Sequence, residues 1–231
     1  MIIINRRFDG IAFDLDGTLY PNYRLNIRII PSVLLKEFSL LWALGKARDR
    51  IRSDPEACPQ AGFYETQARL MAEILKEEPD TVQKKVGALI YRGWEPLFTR
   101  IAPFPHVRET LEALRKEGCK LGLLSDFPPE AKLVNMGLDG YWDTVLCSET
   151  TGRLKPHPLP FLELARQMGM PPERILYVGN SVRYDIIGAK GVGMKAALVT
   201  RSIIKKIHRP GNADFVFSDY RQLLKYMISL L

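Results

Sequence analysis

Two carboxylates lie two residues apart at the end of a short apolar run near the N-terminus, where the chain reads FDLDGTL over residues 13–19. An extended chain advances about 3.3 Å per residue and sends alternate side chains to the same side, so Asp14 and Asp16 face one way. One carboxylate can then attack a phosphorus atom while the other handles a proton. An acyl phosphate formed in this way splits phosphoester hydrolysis into two easier transfers.

Gly17 and Thr18 follow this pair. They suit a tight turn in which backbone N–H groups approach an anion, because glycine adopts backbone conformations that other residues resist. The alternative is that an Asp-Gly pair simply closes a strand with a polar turn. The apolar run and the second carboxylate favour the chemical interpretation.

Two further polar clusters follow later in the chain. Ser125 and Asp126 come directly after the apolar run at residues 121–124, and offer a hydroxyl and a backbone N–H to a phosphoryl oxygen. Lys155 precedes a predicted helix that starts near Pro158, where its ammonium would neutralise phosphate charge. Taken alone, a serine or a lysine at such a place is more often an ordinary turn or loop residue.

The fourth cluster, Asn180 and Asp185, follows the apolar run at residues 175–179. A divalent cation that bridges a carboxylate and a phosphate needs hard oxygen ligands, and Mg²⁺ typically takes one or two carboxylates and keeps several waters. Asn180 and Asp185, with Asp14 and the backbone carbonyl of Asp16, can supply these ligands. Taken alone, Asp185 is equally well explained as a helix cap.

After residue 104, short apolar runs alternate with helix-like stretches. This pattern predicts an α/β fold, a doubly wound (Rossmann-like) parallel sheet with helices on both faces. The predicted strands are residues 10–15, 120–124, 144–147, 175–178, 196–200 and 214–217. The predicted helices of this part are residues 106–117, 129–136, 158–168, 184–190 and 219–230. All four polar clusters then lie outside the carboxyl ends of strands, where such sheets bind ligands.

Residues 20–103 have a different pattern, with apolar residues at helical spacing and no convincing strand. We therefore predict a smaller, all-helical domain over residues 20–103. It is inserted into a core domain formed by residues 1–19 and 104–231.

Charge favours anionic partners, because 33 Lys and Arg against 26 Asp and Glu give a net charge of +7 at pH 7. We predict no nucleic-acid partner, since the basic run at residues 201–209 lacks interleaved aromatic residues. We predict no membrane partner, since the most apolar stretch, residues 33–44, is charged and too short to span a bilayer. The oligomeric state stays open between monomer and homodimer.

Cysteine usage indicates a reducing compartment. Cys58, Cys119 and Cys147 are odd in number and widely spaced, which argues against a disulfide framework. The N-terminal residues 1–8 place basic residues after an apolar run, the reverse of a signal peptide. We expect a cytoplasmic protein.

Together the four clusters, in this order, resemble the motifs of the haloacid dehalogenase-like superfamily of phosphohydrolases, over residues 10–19 and 104–218. The resemblance implies a Mg²⁺-dependent phosphatase that acts on a small phosphorylated metabolite through an aspartyl phosphate. By this analogy Asp14 is the nucleophile and Asp16 the acid and base. Ser125 and Lys155 bind phosphate, and Asn180 and Asp185 complete the metal site.

The resemblance also implies that the helical insertion is a cap that closes over the site and contacts the leaving group. Its possible leaving-group contacts, Tyr23, Arg24, Arg28 and Tyr64, are more often ordinary surface residues, and none is assigned.

Three other functions use similar residues. A phosphomutase or phosphotransferase of the same superfamily would need the same motifs. A binding protein that has kept the fold but lost catalysis is a second alternative. Carbon–halogen hydrolysis is disfavoured by Asp16 and Asp185, because a halide leaving group needs no proton and no phosphate-charged metal site.

Asn180 departs from the usual superfamily pattern, in which Gly-Asp stands where this chain has Gly179-Asn180. An amide oxygen brings no negative charge to a cation. We expect the wild-type protein to be active but to need a several-fold higher Mg²⁺ concentration for half-maximal activity than an Asn180→Asp variant. Equal Mg²⁺ requirements for the two proteins would contradict this role of Asn180.

Overall fold

The computed structural model describes residues 8–32, 38–54, 62–201 and 210–228. Six parallel strands form one sheet in the order β3-β2-β1-β4-β5-β6. The strands are β1 (Gly10–Phe13), β2 (Lys120–Ser125), β3 (Thr144–Cys147), β4 (Ile175–Gly179), β5 (Lys195–Val199) and β6 (Phe215–Phe217). The predicted doubly wound parallel sheet is confirmed, with small shifts at the strand ends.

Both faces of the sheet are apolar because side chains alternate along each central strand. In β1, Ile11 and Phe13 pack into the core on one face and Ala12 into the core on the other. In β4, Val178 belongs to the first core and Tyr177 to the second. A parallel sheet buried in this way needs helices on each side.

Helices cover each face. The helices of this part are α5 (Val107–Lys116), α6 (Glu130–Met136), α7 (Pro158–Met168), α8 (Ile187–Gly191) and α9 (Tyr220–Ile228). Leu111 of α5 and Leu223 of α9 pack into the first core, and Leu164 of α7 and Ala189 of α8 into the second. A π-helix, Val182–Ile186, precedes α8, so the predicted helix at residues 184–190 begins earlier and less regularly than expected.

Residues 22–100, here called the helical segment, contain only helical elements in their described part. These are α1 (Asn22–Ser32), α2 (Phe38–Ser53), α3 (Phe63–Leu75), α4 (Pro79–Val86), a π-helix (Gly87–Arg92) and a 3₁₀ helix (Glu95–Arg100). Side chains from α2, α3 and α4 form a third apolar core, which also contains Leu154 from the sheet-bearing part. The segment therefore packs directly on the loops that follow the strands.

Several sequence predictions fall partly or wholly outside the described residues. They concern residues 1–7, 33–37, 55–61, 202–209 and 229–231, which include Cys58, His208 and most of the basic run at 201–209. Cys119 and Cys147 are both buried. Among the described helices, none combines the length and the apolar character needed to cross a bilayer.

Candidate active site

The ammonium group of Lys155 lies between two buried carboxylates. Its Nζ donates to Oδ1 of Asp14 at 2.7 Å and to Oδ1 of Asp185 at 2.7 Å. It also contacts the Tyr177 hydroxyl at 3.3 Å. Asp14 directly follows β1, while Asp185 lies in the π-helix after β4, the neighbouring strand. The site thus lies where the strand order reverses, the place at which doubly wound sheets bind ligands.

Burial and charge pairing shift the pKa values of Asp14 and Lys155 in opposite directions. Burial raises the pKa of the Asp14 carboxyl to about 7, although the Lys155 ammonium lowers it, and the nearby carboxylates of Asp185 and Asp16 add to the increase. Burial lowers the pKa of Lys155, but Asp14 and Asp185 outweigh it and hold that pKa well above its ordinary value. Lys155 is therefore a permanent buried cation beside a carboxyl that is close to its titration point at neutral pH.

Hydrogen bonds from nearby residues fix the orientation of the two carboxylates. Asp14 donates its N–H to the carbonyl of Val178 at 2.9 Å, and its Oδ2 accepts the Thr18 hydroxyl at 2.6 Å. Oδ2 of Asp185 accepts the backbone N–H groups of Ser181 at 2.9 Å and Asn180 at 3.2 Å. These contacts aim one oxygen of each carboxylate at Lys155.

Gly17 and Asn180 adjoin each other beside this cluster. Gly17 has φ of +84°, and a Cβ atom there would lie 2.1 Å from Nδ2 of Asn180. The left-handed backbone therefore favours glycine at this position, and the Asn180 amide would have to move to make room for a Cβ atom. The predicted turn is present at Gly17, whereas the Thr18 side chain is turned to Asp14 rather than left open for an anion.

The Asp16 carboxylate is held by two partners that the sequence did not reveal. Lys132 of α6 donates to both of its carboxylate oxygens, at 2.8 and 2.7 Å. The Tyr20 hydroxyl donates to Oδ1 of the same carboxylate. The Asp16 side chain keeps about a quarter of its surface exposed, so it stands at the edge of the site toward the helical segment.

Ser125 is the last residue of β2 and Asp126 follows it. Their side chains make different contacts. Ser125 is fully buried, and its Oγ accepts the N–H of Phe127 at 3.2 Å. Oδ1 of Asp126 accepts the Ser148 hydroxyl at 2.6 Å and the N–H of Lys155 at 3.1 Å. The Asp126 carboxylate therefore anchors the backbone of Lys155. Only the main chain of Asp126 is left for the predicted phosphate contact.

Two arginines of α2 tie the helical segment to the same loops. Arg52 pairs with Oδ2 of Asp126 at 3.0 Å and donates to the carbonyl of Lys155 at 3.1 Å. Arg48 pairs with the buried carboxylate of Glu149. Although burial raises the pKa of Asp126, the cations Lys155, Arg48 and Arg52 lower it below its ordinary value. We call these contacts of Arg48 and Arg52 the arginine clamp.

The site offers oxygen donors that a hard divalent cation could use. The described residues contain no group of three or more His, Cys, Asp or Glu side chains arranged to hold a metal. The predicted set needs fewer, because it joins the carboxylates of Asp14 and Asp185 to the Asn180 amide and the Asp16 carbonyl. Two carboxylates held together by a cation, beside further oxygen donors, fit Mg²⁺.

A family model described as haloacid dehalogenase-like hydrolase matches residues 8–193. Glyceraldehyde 3-phosphate phosphatase from Methanothermobacter thermautotrophicus is 31% identical over 233 residues, which cover 93% of this chain and 97% of the relative. Phosphoglycolate phosphatase from Haemophilus influenzae is 28% identical over 242 residues, which cover 97% of this chain and 100% of the relative.

Solved structures with the same architecture include L-2-haloacid dehalogenase from Xanthobacter autotrophicus with chloropropionic acid covalently bound. It matches with a TM-score of 0.68 at 17% identity, covering 97% of this chain and 100% of that one. At this identity the likeness concerns the fold.

Removal of the Lys155 ammonium gives a pH-dependent loss of stability. Asp14 already has a folded pKa above its ordinary 3.8, so its folded form binds more protons than its unfolded form as pH rises toward 7. The free energy of unfolding therefore falls as the pH rises from 3.8 to about 7. Without Lys155 the pKa of folded Asp14 would be higher still, so this fall would continue to higher pH. We expect Lys155→Met, in EDTA, to cost about 3–5 kcal/mol at pH 8 and less at pH 5.

Urea denaturation at both pH values measures this difference. Lys195→Met is the matched control, because Lys195 pairs with Asp214 at a partly exposed position. The control should show the wild-type pH dependence. If the Lys155 variant also kept the wild-type slope, the ammonium would not compensate the charge of Asp14.

Proposed function

The chain belongs to the haloacid dehalogenase-like hydrolases, and from this premise we propose that it hydrolyses small phosphomonoesters through an aspartyl phosphate on Asp14. The chain is a phosphatase, as are its relatives at 28–31% identity over most of its length. The observation that carries the mechanism is the buried group formed by Asp14, Lys155 and Asp185. It holds an attacking carboxylate and a compensating cation at one strand end.

In the first step a carboxylate oxygen of Asp14 attacks phosphorus, and the bond from phosphorus to the leaving oxygen breaks. Asp16 gives that oxygen a proton, so the leaving group departs as an alcohol. In the second step Asp16 accepts a proton from water, whose oxygen attacks phosphorus. Phosphate then leaves and the Asp14 carboxylate is restored.

Lys155 supports the charge that accumulates when phosphate enters. The phosphoryl oxygens bring negative charge beside two carboxylates, and a fixed ammonium offsets it without reorganising. The Ser125 hydroxyl and the backbone N–H groups after β2 would donate to the phosphoryl oxygens. Because the carboxylate of Asp126 and the carbonyl of Lys155 are both held by Arg52, the arginine clamp fixes the loop that carries this ammonium.

Mg²⁺ would be held by Asp14, Asp185, the Asn180 amide and the Asp16 carbonyl, where it would supply charge compensation for the phosphoryl group. Asn180 and Ser181 already orient Asp185 through their N–H groups. Since Asn180 is neutral, the two carboxylates carry the negative charge of this donor set.

We further propose that the helical segment is the cap of this enzyme and that it forms a domain separate from the sheet-bearing core. Its α2 contacts the loops after β2 and β3, while Phe98 of its 3₁₀ helix packs against Tyr20 next to Asp16. Such a lid limits the water that reaches the phosphoenzyme.

Phosphate release tests the proposed function. We expect the wild-type protein with Mg²⁺ to release phosphate from members of a panel of cellular phosphomonoesters, and EDTA to stop it. Asp14→Asn, which keeps the shape and removes the nucleophile, should lower the rate at least about 10³-fold. Asp139→Asn, an exposed position on the α6–β3 connection, is the control.

A wild-type protein that stays inert across the panel and several divalent metals would contradict the proposal and favour a binding protein. Recovery of phosphorylated isomers in place of free phosphate would instead identify a mutase.

Leaving-group chemistry tests the role of Asp16. An alkoxide needs a proton as it departs, whereas 4-nitrophenolate does not. We expect Asp16→Asn to lower kcat/KM for an alkyl phosphate by about 10²- to 10⁴-fold and for 4-nitrophenyl phosphate by far less. With the nitrophenyl ester the variant should show a burst of nitrophenolate, because only the second step is then slow. Equal losses with both esters would exclude Asp16 as the acid.

A further inference from the structure

A cavity of about 600 Å³ lies between the helical segment and the sheet-bearing part, and Asp16 is part of its wall. Its volume falls within the range of about 300–1,000 Å³ that is usual for ligand sites. In the proposed reaction the leaving oxygen is next to Asp16, so the rest of the leaving group extends into this cavity. A two- or three-carbon leaving group would fill only a small part of it.

Five aromatic side chains of the described residues line this cavity. They come from both parts of the chain and are Tyr64, Tyr91, Trp94, Phe98 and Phe127. Tyr64 and Tyr91 meet edge to face with ring centroids 5.8 Å apart, and Tyr91 lies 6.2 Å from Phe127. These contacts hold the rings in place, so they form a preformed apolar wall.

The charges around the cavity do not favour an anionic leaving group. Of the residues that the structure describes, the acids Asp16, Glu95 and Glu130 and the bases Arg92 and Lys132 line it. Lys132 is already engaged by both oxygens of Asp16. Among the described lining residues this leaves Arg92, an exposed side chain at the opposite, helical side, as the remaining cation. With Asp16 and Lys132 paired to each other, the described lining leaves the carboxylates of Glu95 and Glu130 against the cation of Arg92, so a carboxylate on the leaving group would meet more negative than positive charge.

We infer that the substrate is a phosphomonoester of an aromatic alcohol, whose uncharged ring lies against the aromatic wall of this cavity. This inference rests on the proposed phosphatase function and adds the class of leaving group. It distinguishes this chain from relatives whose names specify phosphoglycolate or glyceraldehyde 3-phosphate, which carry small, polar leaving groups. Burial of a ring against apolar side chains supplies binding free energy that a glycolate group cannot.

Two lining residues allow the cavity to be filled without removing an existing contact. Gly87 has a helical backbone, with φ of −59°, and a Cβ there would meet only Nη1 of Arg92, at 3.9 Å. Ala131 lies on α6 and is partly buried. Gly45 is a matched control for Gly87, because it lies in α2, lines none of this cavity, and has nothing within 4 Å of an added Cβ.

The experiment compares naphthylmethyl phosphate, benzyl phosphate and phosphoglycolate, all phosphate esters of primary alcohols that need a proton from the same acid. We expect kcat/KM of the wild-type protein to be at least about tenfold higher for the two aromatic esters than for phosphoglycolate. Gly87→Leu and Ala131→Leu should each lower kcat/KM for naphthylmethyl phosphate by about tenfold through KM. They should change phosphoglycolate turnover by less than about twofold, and Gly45→Leu should change neither.

A wild-type preference for phosphoglycolate would overturn the inference, as would equal losses for all three esters in the filled variants. If the circular dichroism spectrum shows that one filled variant is unfolded, the kinetics of the other filled variant decide the test. Failure of the proposed function is distinct, since a protein that is not a phosphatase would release no phosphate from any of the three esters above the Asp14→Asn blank.

Discussion

The buried ammonium of Lys155 is the constraint on which the site depends. Two carboxylates within reach of one nitrogen atom would repel each other in a buried setting, and burial raises the pKa of Asp14 to about 7 even though the Lys155 ammonium lowers it. The ammonium allows Asp14 and Asp185 to approach one another without exposure to water. Such a group costs desolvation free energy, so its presence at a strand end is better explained by chemistry than by stability.

The elements around Lys155 are arranged to keep that nitrogen in place. The Asp126 carboxylate accepts the Lys155 N–H, and Arg52 of α2 donates to both the Asp126 carboxylate and the Lys155 carbonyl. The Tyr177 hydroxyl of β4 accepts a hydrogen bond from Nζ of Lys155. Through the arginine clamp, the helical segment therefore orients the loop that carries the cation.

Much of this arrangement could be predicted from the sequence because it follows from local rules. Apolar runs ending in polar residues located Asp14, Ser125 and Asn180 at the carboxyl ends of three adjacent strands, and parallel strands bring such ends together. The Pro158 start of α7 was predictable since proline suits the first turn of a helix. The six strands were found for the same kind of reason.

The long-range pairs could not be predicted. Lys132 and Tyr20 reach Asp16 from a helix and a turn with no motif of their own, and Arg48 and Arg52 lie within a helix whose charges suggest an ordinary solvated face. Nor could the hydrogen bond from the Thr18 hydroxyl to Asp14 be predicted. Such contacts depend on the packing of the helical segment on the sheet-bearing part, which hydrophobic spacing within the segment does not specify. The cavity and its aromatic wall arise from that same packing.

Chemical trapping of the phosphoenzyme tests the central claim most directly. Borohydride reduces an acyl phosphate to an alcohol, so an aspartyl phosphate becomes homoserine, which mass spectrometry locates in the sequence. If Asp14 is the nucleophile, protein quenched with borohydride during turnover of an aryl phosphate should contain homoserine at position 14, and unreacted protein should contain none. Phosphate release without reduction at position 14, or reduction at another aspartate, would contradict the account.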